Sequence, residues 1–176
     1  MKGARATNTH LMRDGRAVAG TRALPEEVPV ALVYNGTTQA VMMATPDNLE
    51  DFGRGFTVSE GLALAGEVGD IEIAEHGAGI EIRMWLPEDR ADALLARRRA
   101  MAGPVGCGLC GVDSLEQTLR VVAPVGAGIM LRPSQIDEAM AGLRDGQALH
   151  DRTRAGHAAG VFVPGQGVVA LREDVG

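Results

Sequence analysis

Glu27-Val28-Pro29-Val30-Ala31-Leu32-Val33-Tyr34-Asn35-Gly36, with Gln39-Ala40-Val41-Met42-Met43-Ala44 shortly after it, is the stretch from which the fold is read. Val28 to Tyr34 is one apolar run and Gln39 to Ala44 a second. Asn35-Gly36 lies between them, and both residues accept positive φ, so the pattern predicts a β-hairpin. Thr37 and Thr38 leave a longer loop open. Thr45-Pro46-Asp47 then predicts a helix start, with Thr45 as cap and Pro46 in the first helical position. Leu49, Phe52 and Phe56 fall on one helical face and read as core filling. Gly53 and Gly55 weaken an isolated helix, but they permit close packing against a neighbour.

Outward from this stretch the same alternation recurs. Ile71 to Ala74 and Ile80 to Leu86 flank His76-Gly77-Ala78-Gly79 and predict a second hairpin. Pro87-Glu88-Asp89 opens a helix carrying Ala91, Leu94 and Leu95. Its end holds Arg97, Arg98 and Arg99, a solvated basic terminus that complements the helix dipole. Ser114 and Gln117 form a capping-box pattern before Leu115 and Leu119. Ser134 opens a helix with Ile136, Ala139, Met140 and Leu143 on one face. Two short strands, Gly160 to Val163 and Val168 to Leu171, close the chain around Pro164-Gly165-Gln166-Gly167. Residues 1–24, with Lys2, Arg5, Arg13, Arg16 and Arg22 among small polar residues, read as a flexible N-terminal arm. Residues 25–176 then form one domain, which these elements alone describe as α/β or α+β.

The 176 residues suit one domain, and 45% of them are hydrophobic but only 3% aromatic. The core must therefore come from Val, Leu, Ile, Ala and Met, with the eight Met residues filling irregular gaps. Seventeen Lys and Arg against 23 Asp and Glu give a net charge of −6. That balance argues against nucleic acid as the main partner. No apolar run reaches the length of a membrane span, and the N-terminus lacks the apolar core of a secretory signal. The expected compartment is the cytoplasm. There thiols are kept reduced, so two closely spaced cysteines point to catalysis or metal binding.

Those cysteines lie in Gly106-Cys107-Gly108-Leu109-Cys110-Gly111. A thiol is a nucleophile as its thiolate, and a second thiol nearby can stabilise that anion or resolve a persulfide. The flanking glycines remove bulk and admit unusual backbone angles, which lets the loop enter a partner's site. A helix beginning near Ser114 would turn unpaired N–H groups toward a nearby anion. Metal binding and a plain exposed pair are the alternatives. A zinc site needs about four ligands, and the candidates besides the pair are His10, His76, His150 and His157. His150 and His157 stand too far apart for a finger. A zinc nucleobase deaminase needs H-x-E and P-C-x-x-C, and no histidine here is followed two places later by Glu. No metal ligand is assigned.

Several stretches, in order, resemble one family. Glu27 to Gly36, Val41-Met42-Met43-Ala44-Thr45-Pro46, Leu49-Glu50-Asp51-Phe52, and Gly55-Phe56-Thr57-Val58-Ser59-Glu60-Gly61 are similar to the opening of FdhD proteins. Gly106 to Gly111 resembles their C-x-x-C loop. Thr153, His157, Ala158 and Ala159 resemble a Thr-Gly-Gly-x-His-Ala-Ala segment, and Arg172-Glu173-Asp174-Val175-Gly176 a REDVG motif. The resemblance implies an α/β fold, a mixed sheet with flanking helices similar to the cytidine-deaminase-like fold, lacking the family's C-terminal part. It implies a cytoplasmic sulfurtransferase serving formate dehydrogenase. Such a protein takes persulfide sulfur from a cysteine desulfurase and delivers it to the molybdenum bis-guanine-dinucleotide cofactor, a substrate rather than a permanently bound group. Cys107 then resembles the persulfide carrier and Cys110 its partner, with His157, Arg154 and Asp174 on the cofactor side. Arg154 and Ala155 depart from the family's two glycines. A guanidinium there suits phosphate oxygens.

The expected partners are the desulfurase and the dehydrogenase, with a homodimer as a further assembly and neither nucleic acid nor membrane. A different class of reading is a non-catalytic adaptor that holds the dehydrogenase or its cofactor without moving sulfur. A third is a structural zinc module with ligands from two subunits.

Overall fold

A computed structural model of the chain describes residues 3–90 and 124–175. The described chain forms a mixed α/β fold that divides into two compact units, residues 27–90 and residues 3–26 with 124–175. The division falls after residue 26, and the N-terminal segment groups with residues 124–175. The expected helix with Ala91, Leu94 and Leu95, the run Arg97, Arg98 and Arg99, the loop with Cys107 and Cys110, and the helix opening at Ser114 lie outside the described residues.

In the first unit, β3 (Val28–Tyr34) and β4 (Thr37–Ala44) pair antiparallel from Tyr34 opposite Thr37. Asn35 at φ 48° and Gly36 at φ 79° make the two-residue turn. The longer loop is not used. A register shift between Leu32 and Val33 instead leaves buried Gln39 as an extra residue in β4. β5 (Ile71–His76) and β6 (Gly79–Met84) form the second hairpin, and β6 runs parallel to β3. The sheet order is β4-β3-β6-β5. Asn35 extends the parallel pair beyond its last strand residue. Its amide nitrogen donates to Leu86 O at 3.0 Å, and its side-chain oxygen accepts from Leu86 N at 2.9 Å. At the other end Gly79 has φ 153°, and a Cβ there would lie 2.4 Å from Pro29 O, so only glycine fits.

The connection from β4 to β5 carries α1 (Leu49–Ser59). The helix starts three residues later than Thr45-Pro46-Asp47 predicts. Asn48 takes a left-handed conformation, φ 50°, as the N-cap, and Asp47 Oδ1 accepts its N–H at 3.0 Å. Asn and Asp tolerate such local turns because short polar side chains bond nearby backbone. Leu49, Phe52 and Phe56 pack on the core as expected, the two rings edge to face with centroids 6.5 Å apart.

Val30, Leu32, Tyr34, Ile80, Ile82 and Met84 form the sheet side of that core. Gly53 lies flat on it, for a Cβ there would stand 2.7 Å from Ile82 Cγ2. Gly55 faces open space. Thr57, fully buried, donates Oγ1–H to Gly53 O at 2.7 Å. Its single proton is then engaged, so Tyr34 donates to Thr57 Oγ1 across 2.9 Å. The expected methionine filling holds for Met84 and, in part, Met42. Met12, Met130 and Met140 are exposed.

In the second unit the supposed flexible arm is a hairpin, β1 (Ala4–Arg13) and β2 (Arg16–Pro25). Asp14 at φ 49° and Gly15 at φ 73° close it with the turn chemistry that Asn35-Gly36 uses. The expectation failed because the flanking strands carry few large apolar residues, so the turn signal stood without an alternating pattern beside it. Helix α2 (Pro133–Asp145) opens near Ser134 as expected, with Arg132 N–H bonded to Gln135 Oε1 at 2.9 Å. Its packed face matches the expected one at Ala139 and Leu143 but not at Ile136 and Met140. Gln135, Ala139, Gly142 and Leu143 are partly covered, whereas Ile136 and Met140 are 53% and 61% exposed. Leu143 sits against Gly160, and Gly146 against Leu171. The last two strands are longer than predicted, β7 (His157–Val163) and β8 (Gly167–Asp174). Between α2 and β7 lies the short helix α3 (Ala148–Thr153).

Two predictions follow from the α1 contact. Gly53→Ala forces a methyl into Ile82 and should lower stability in urea unfolding by about 1–3 kcal/mol. Gly55→Ala meets nothing within 4 Å and should raise it by about 0.5–1 kcal/mol. Burial pushes the Tyr34 hydroxyl up to about 12, opposed by its bond to Thr57 and reinforced by the Glu60 charge. The folded state thus favours the protonated phenol over the unfolded value of about 10. Its contribution is complete below pH ~10 and disappears as pH rises through ~12, a loss of roughly 2–3 kcal/mol. Tyr34 is the single tyrosine, so phenolate absorbance reads it directly, and Tyr34→Phe should flatten stability over that window.

Candidate functional site

His157 and Asp174 face each other at one end of the β7–β8 ribbon, and Arg154 precedes β7 by three residues. His157 is the first residue of β7, and its partner across the ladder is Asp174. Directly opposed residues bring their Cβ atoms to within about 5.5 Å. Asp174 Oδ1 also accepts the Val175 N–H at 2.8 Å. Arg154 caps the C-terminus of α3 in the left-handed region, φ 57° and ψ 23°. That conformation favours glycine. This chain instead puts a guanidinium at the turn, 67% exposed and 3.8 Å from Asp151 Oδ1.

The turn that presents Arg154 is held by a dense set of bonds. Thr153, 1% exposed, donates Oγ1–H to Leu149 O at 2.8 Å or Ala155 O at 3.0 Å and accepts the Ala155 N–H at 3.2 Å. Arg154 N–H donates to His150 O at 2.6 Å. His150 Nδ1 lies 3.0 Å from Gly156 O, and because a carbonyl only accepts, Nδ1 carries the proton. Arg22 from β2 reaches the same turn, its Nη2 donating to Thr153 O at 3.3 Å. On the outer side Arg144 pairs with Asp151 at 2.6 Å and holds that carboxyl below its ordinary range.

Glu173 enters the sequence reading only as part of the REDVG motif, with no role of its own. It belongs to β8, and its carboxylate accepts the N–H of Leu149 at 2.7 Å and of His150 at 2.9 Å. These are charge-assisted bonds to the first turn of α3. The available signal was the alternation Leu171, Glu173 against Arg172, Asp174, which continues the strand past the residue where it was ended. Arg22 was missed with the rest of the hairpin.

Among the described residues no group of three His, Cys, Asp or Glu side chains could hold a metal ion. Among them, too, no helix is long and apolar enough to cross a membrane. Cys107 and Cys110, with any zinc site they form, lie outside the described residues.

With this geometry in place, comparison with known proteins is informative. A model of the FdhD/NarQ family matches residues 25–176. The sulfur carrier protein FdhD of Agrobacterium fabrum is 48% identical over 94% of this chain and 62% of its own length. The proteins of that name from Cupriavidus necator and Brucella abortus are 44% and 46% identical, with 57% and 67% of their lengths covered. The chain thus spans 57–67% of these relatives. A crystal structure from Desulfotalea psychrophila, described as a formate dehydrogenase accessory protein, superposes with a TM-score of 0.68 at 20% identity, covering 99% of this chain and 63% of that one. At that identity the likeness is one of fold.

Thr153 gives this region its own test. Thr153→Val removes a buried donor and acceptor and should lower stability by roughly 1–3 kcal/mol. Thr153→Ser keeps the hydroxyl and should lose only about 1 kcal/mol, as compared by thermal unfolding.

Proposed function

The chain belongs to the FdhD/NarQ family, and on that footing we propose that it carries sulfur on Cys107 from a cysteine desulfurase to the molybdenum bis-guanine-dinucleotide cofactor of formate dehydrogenase. The observation that carries this reading is the match over residues 25–176, which spans the Cys107 and Cys110 loop and is shared with sulfur carrier proteins.

The Cys107 thiolate attacks the outer sulfur of the desulfurase persulfide. A new S–S bond forms on Cys107, the bond between the two desulfurase sulfurs breaks, and the desulfurase cysteine leaves as a thiolate. In delivery, the Cys110 thiolate attacks the inner sulfur of the Cys107 persulfide. The outer sulfur departs with the bonding electrons as sulfide and becomes a ligand of molybdenum, leaving a Cys107–Cys110 disulfide. Cellular thiols, the reductant of the cytoplasm, restore the dithiol.

Arg154, His157 and Asp174 form the cofactor-facing end in this reading. The dinucleotide cofactor carries pyrophosphate groups, and the planar fork of Arg154 matches phosphate oxygens. His157 opposite Asp174 adds a polar pair beside it.

Intact mass after incubation with a cysteine desulfurase and cysteine tests the carrier chemistry. A gain of one sulfur atom, removed by reductant and abolished in Cys107→Ser, is expected. No gain, with the desulfurase active on another acceptor, overturns persulfide transfer in favour of the adaptor.

A further inference from the structure

Residues 149–157, from α3 through its C-terminal turn to the start of β7, are pinned at both ends by consecutive residues of β8. At the start, the Glu173 carboxylate holds the N–H groups of Leu149 and His150. At the finish, His157 lies across the ladder from Asp174. Successive strand side chains face opposite sides, so the Glu173 and Asp174 side chains lie on opposite faces of the ribbon, and Asp174 holds His157 through the ladder. The residue that Glu173 grips then passes the constraint forward. His150 O receives the Arg154 N–H, and His150 Nδ1–H reaches Gly156 O, next to His157. Arg154 sits between these anchors in a backbone conformation that L-residues adopt only when the surroundings over-determine it.

We propose that Glu173 is a positioning residue: through the Leu149 and His150 amides it sets the left-handed turn that aims Arg154 and seats His157 opposite Asp174, and so pre-organises the phosphate-binding end. The inference rests on the proposed function, which assigns Arg154 and His157 to the cofactor, and it adds a residue that touches no substrate. Both carboxylate oxygens are needed. In Glu173→Gln one oxygen becomes an amide NH2, which presents a donor to a donor, so one of the two bonds is lost.

The test uses the full chain by nuclear magnetic resonance and binding, with guanosine diphosphate as the probe of the cofactor's phosphate end. In Glu173→Gln the Leu149 and His150 amides should exchange faster. The Arg154 Nε–H and His157 ring resonances should shift, and the Trp85 indole should not. Affinity for the probe should fall about tenfold, the effect of losing one charge-assisted bond. Arg154→Ala should cost a similar factor, and the double variant should bind no worse than either single one, because both act through one group. A merely structural role would give effects that multiply. Unmoved Arg154 and His157 resonances, or shifted resonances with affinity within about twofold of wild type, would overturn the proposal. Resonances shifted in Glu173→Gln, with no binding of the probe by the wild-type protein, would uphold the positioning and sink the phosphate-end reading of Arg154. If Glu173→Gln does not fold, Glu173→Asp, which keeps both oxygens one methylene farther from the amides, is read in the same way.

Discussion

The buried hydroxyl of Thr57 is the point on which the 27–90 unit depends. A hydroxyl removed from water and left without partners is expensive, by roughly 1–3 kcal/mol. Thr57 avoids that cost by bonding both ways, to Gly53 O within α1 and to the phenol of Tyr34 on β3. The two bonds place the helix along the strand, and the missing side chain of Gly53 sets how near it lies, against Ile82. From that contact follow the seating of Phe52 and Phe56 and the route from β4 across to β5. The parallel pairing of β3 with β6 needs such a crossover, because parallel neighbours cannot be joined by a tight turn.

The other unit follows the same rule at a different scale. Its short helix α3 cannot supply partners for its own first N–H groups. A strand residue, Glu173, supplies them, and Thr153 closes the far end. The residues around Arg154 and His157 are thus specified by polar bonds more than by packing, which suits the phosphate-meeting role proposed for them. It also gives a motif residue, Glu173, a physical reason to be where it is, apart from any contact with a ligand.

Most elements of the fold were legible because their signals are local. Asn35-Gly36, the alternation through Ile80, Ile82 and Met84, and the spacing of Leu49, Phe52 and Phe56 each state their own geometry. Other features were not legible because they depend on partners distant in the chain. Nothing near Gly53 says that Ile82 will lie over it, and nothing near Glu173 says that α3 will present two amides. The packed face of α2 was read in part: Ala139 and Leu143 are covered as expected, whereas Ile136 and Met140 are exposed and Gly142 lies against Val168, where small size mattered as much as hydrophobicity. Of the candidate site, Arg154, His157 and Asp174 were named from motif resemblance, and the pairing of His157 with Asp174 needed the strand register. Asp14-Gly15 was legible and passed over.

The β1–β2 ribbon has a further consequence. Among the described residues it is a sheet of two strands, so each strand has an edge to which no other strand pairs. Open edges bearing Leu11, Met12 and Val18, all largely exposed, are templates on which another chain can add a strand. The ribbon's tip places Arg13 opposite Arg16, and Arg5 and Arg22 follow along its length. Two copies approaching edge to edge would have to bring these cations together. The arginines that give the N-terminus its basic character therefore oppose aggregation of the ribbon with its own kind, and colloidal behaviour at high protein concentration becomes a property of those side chains.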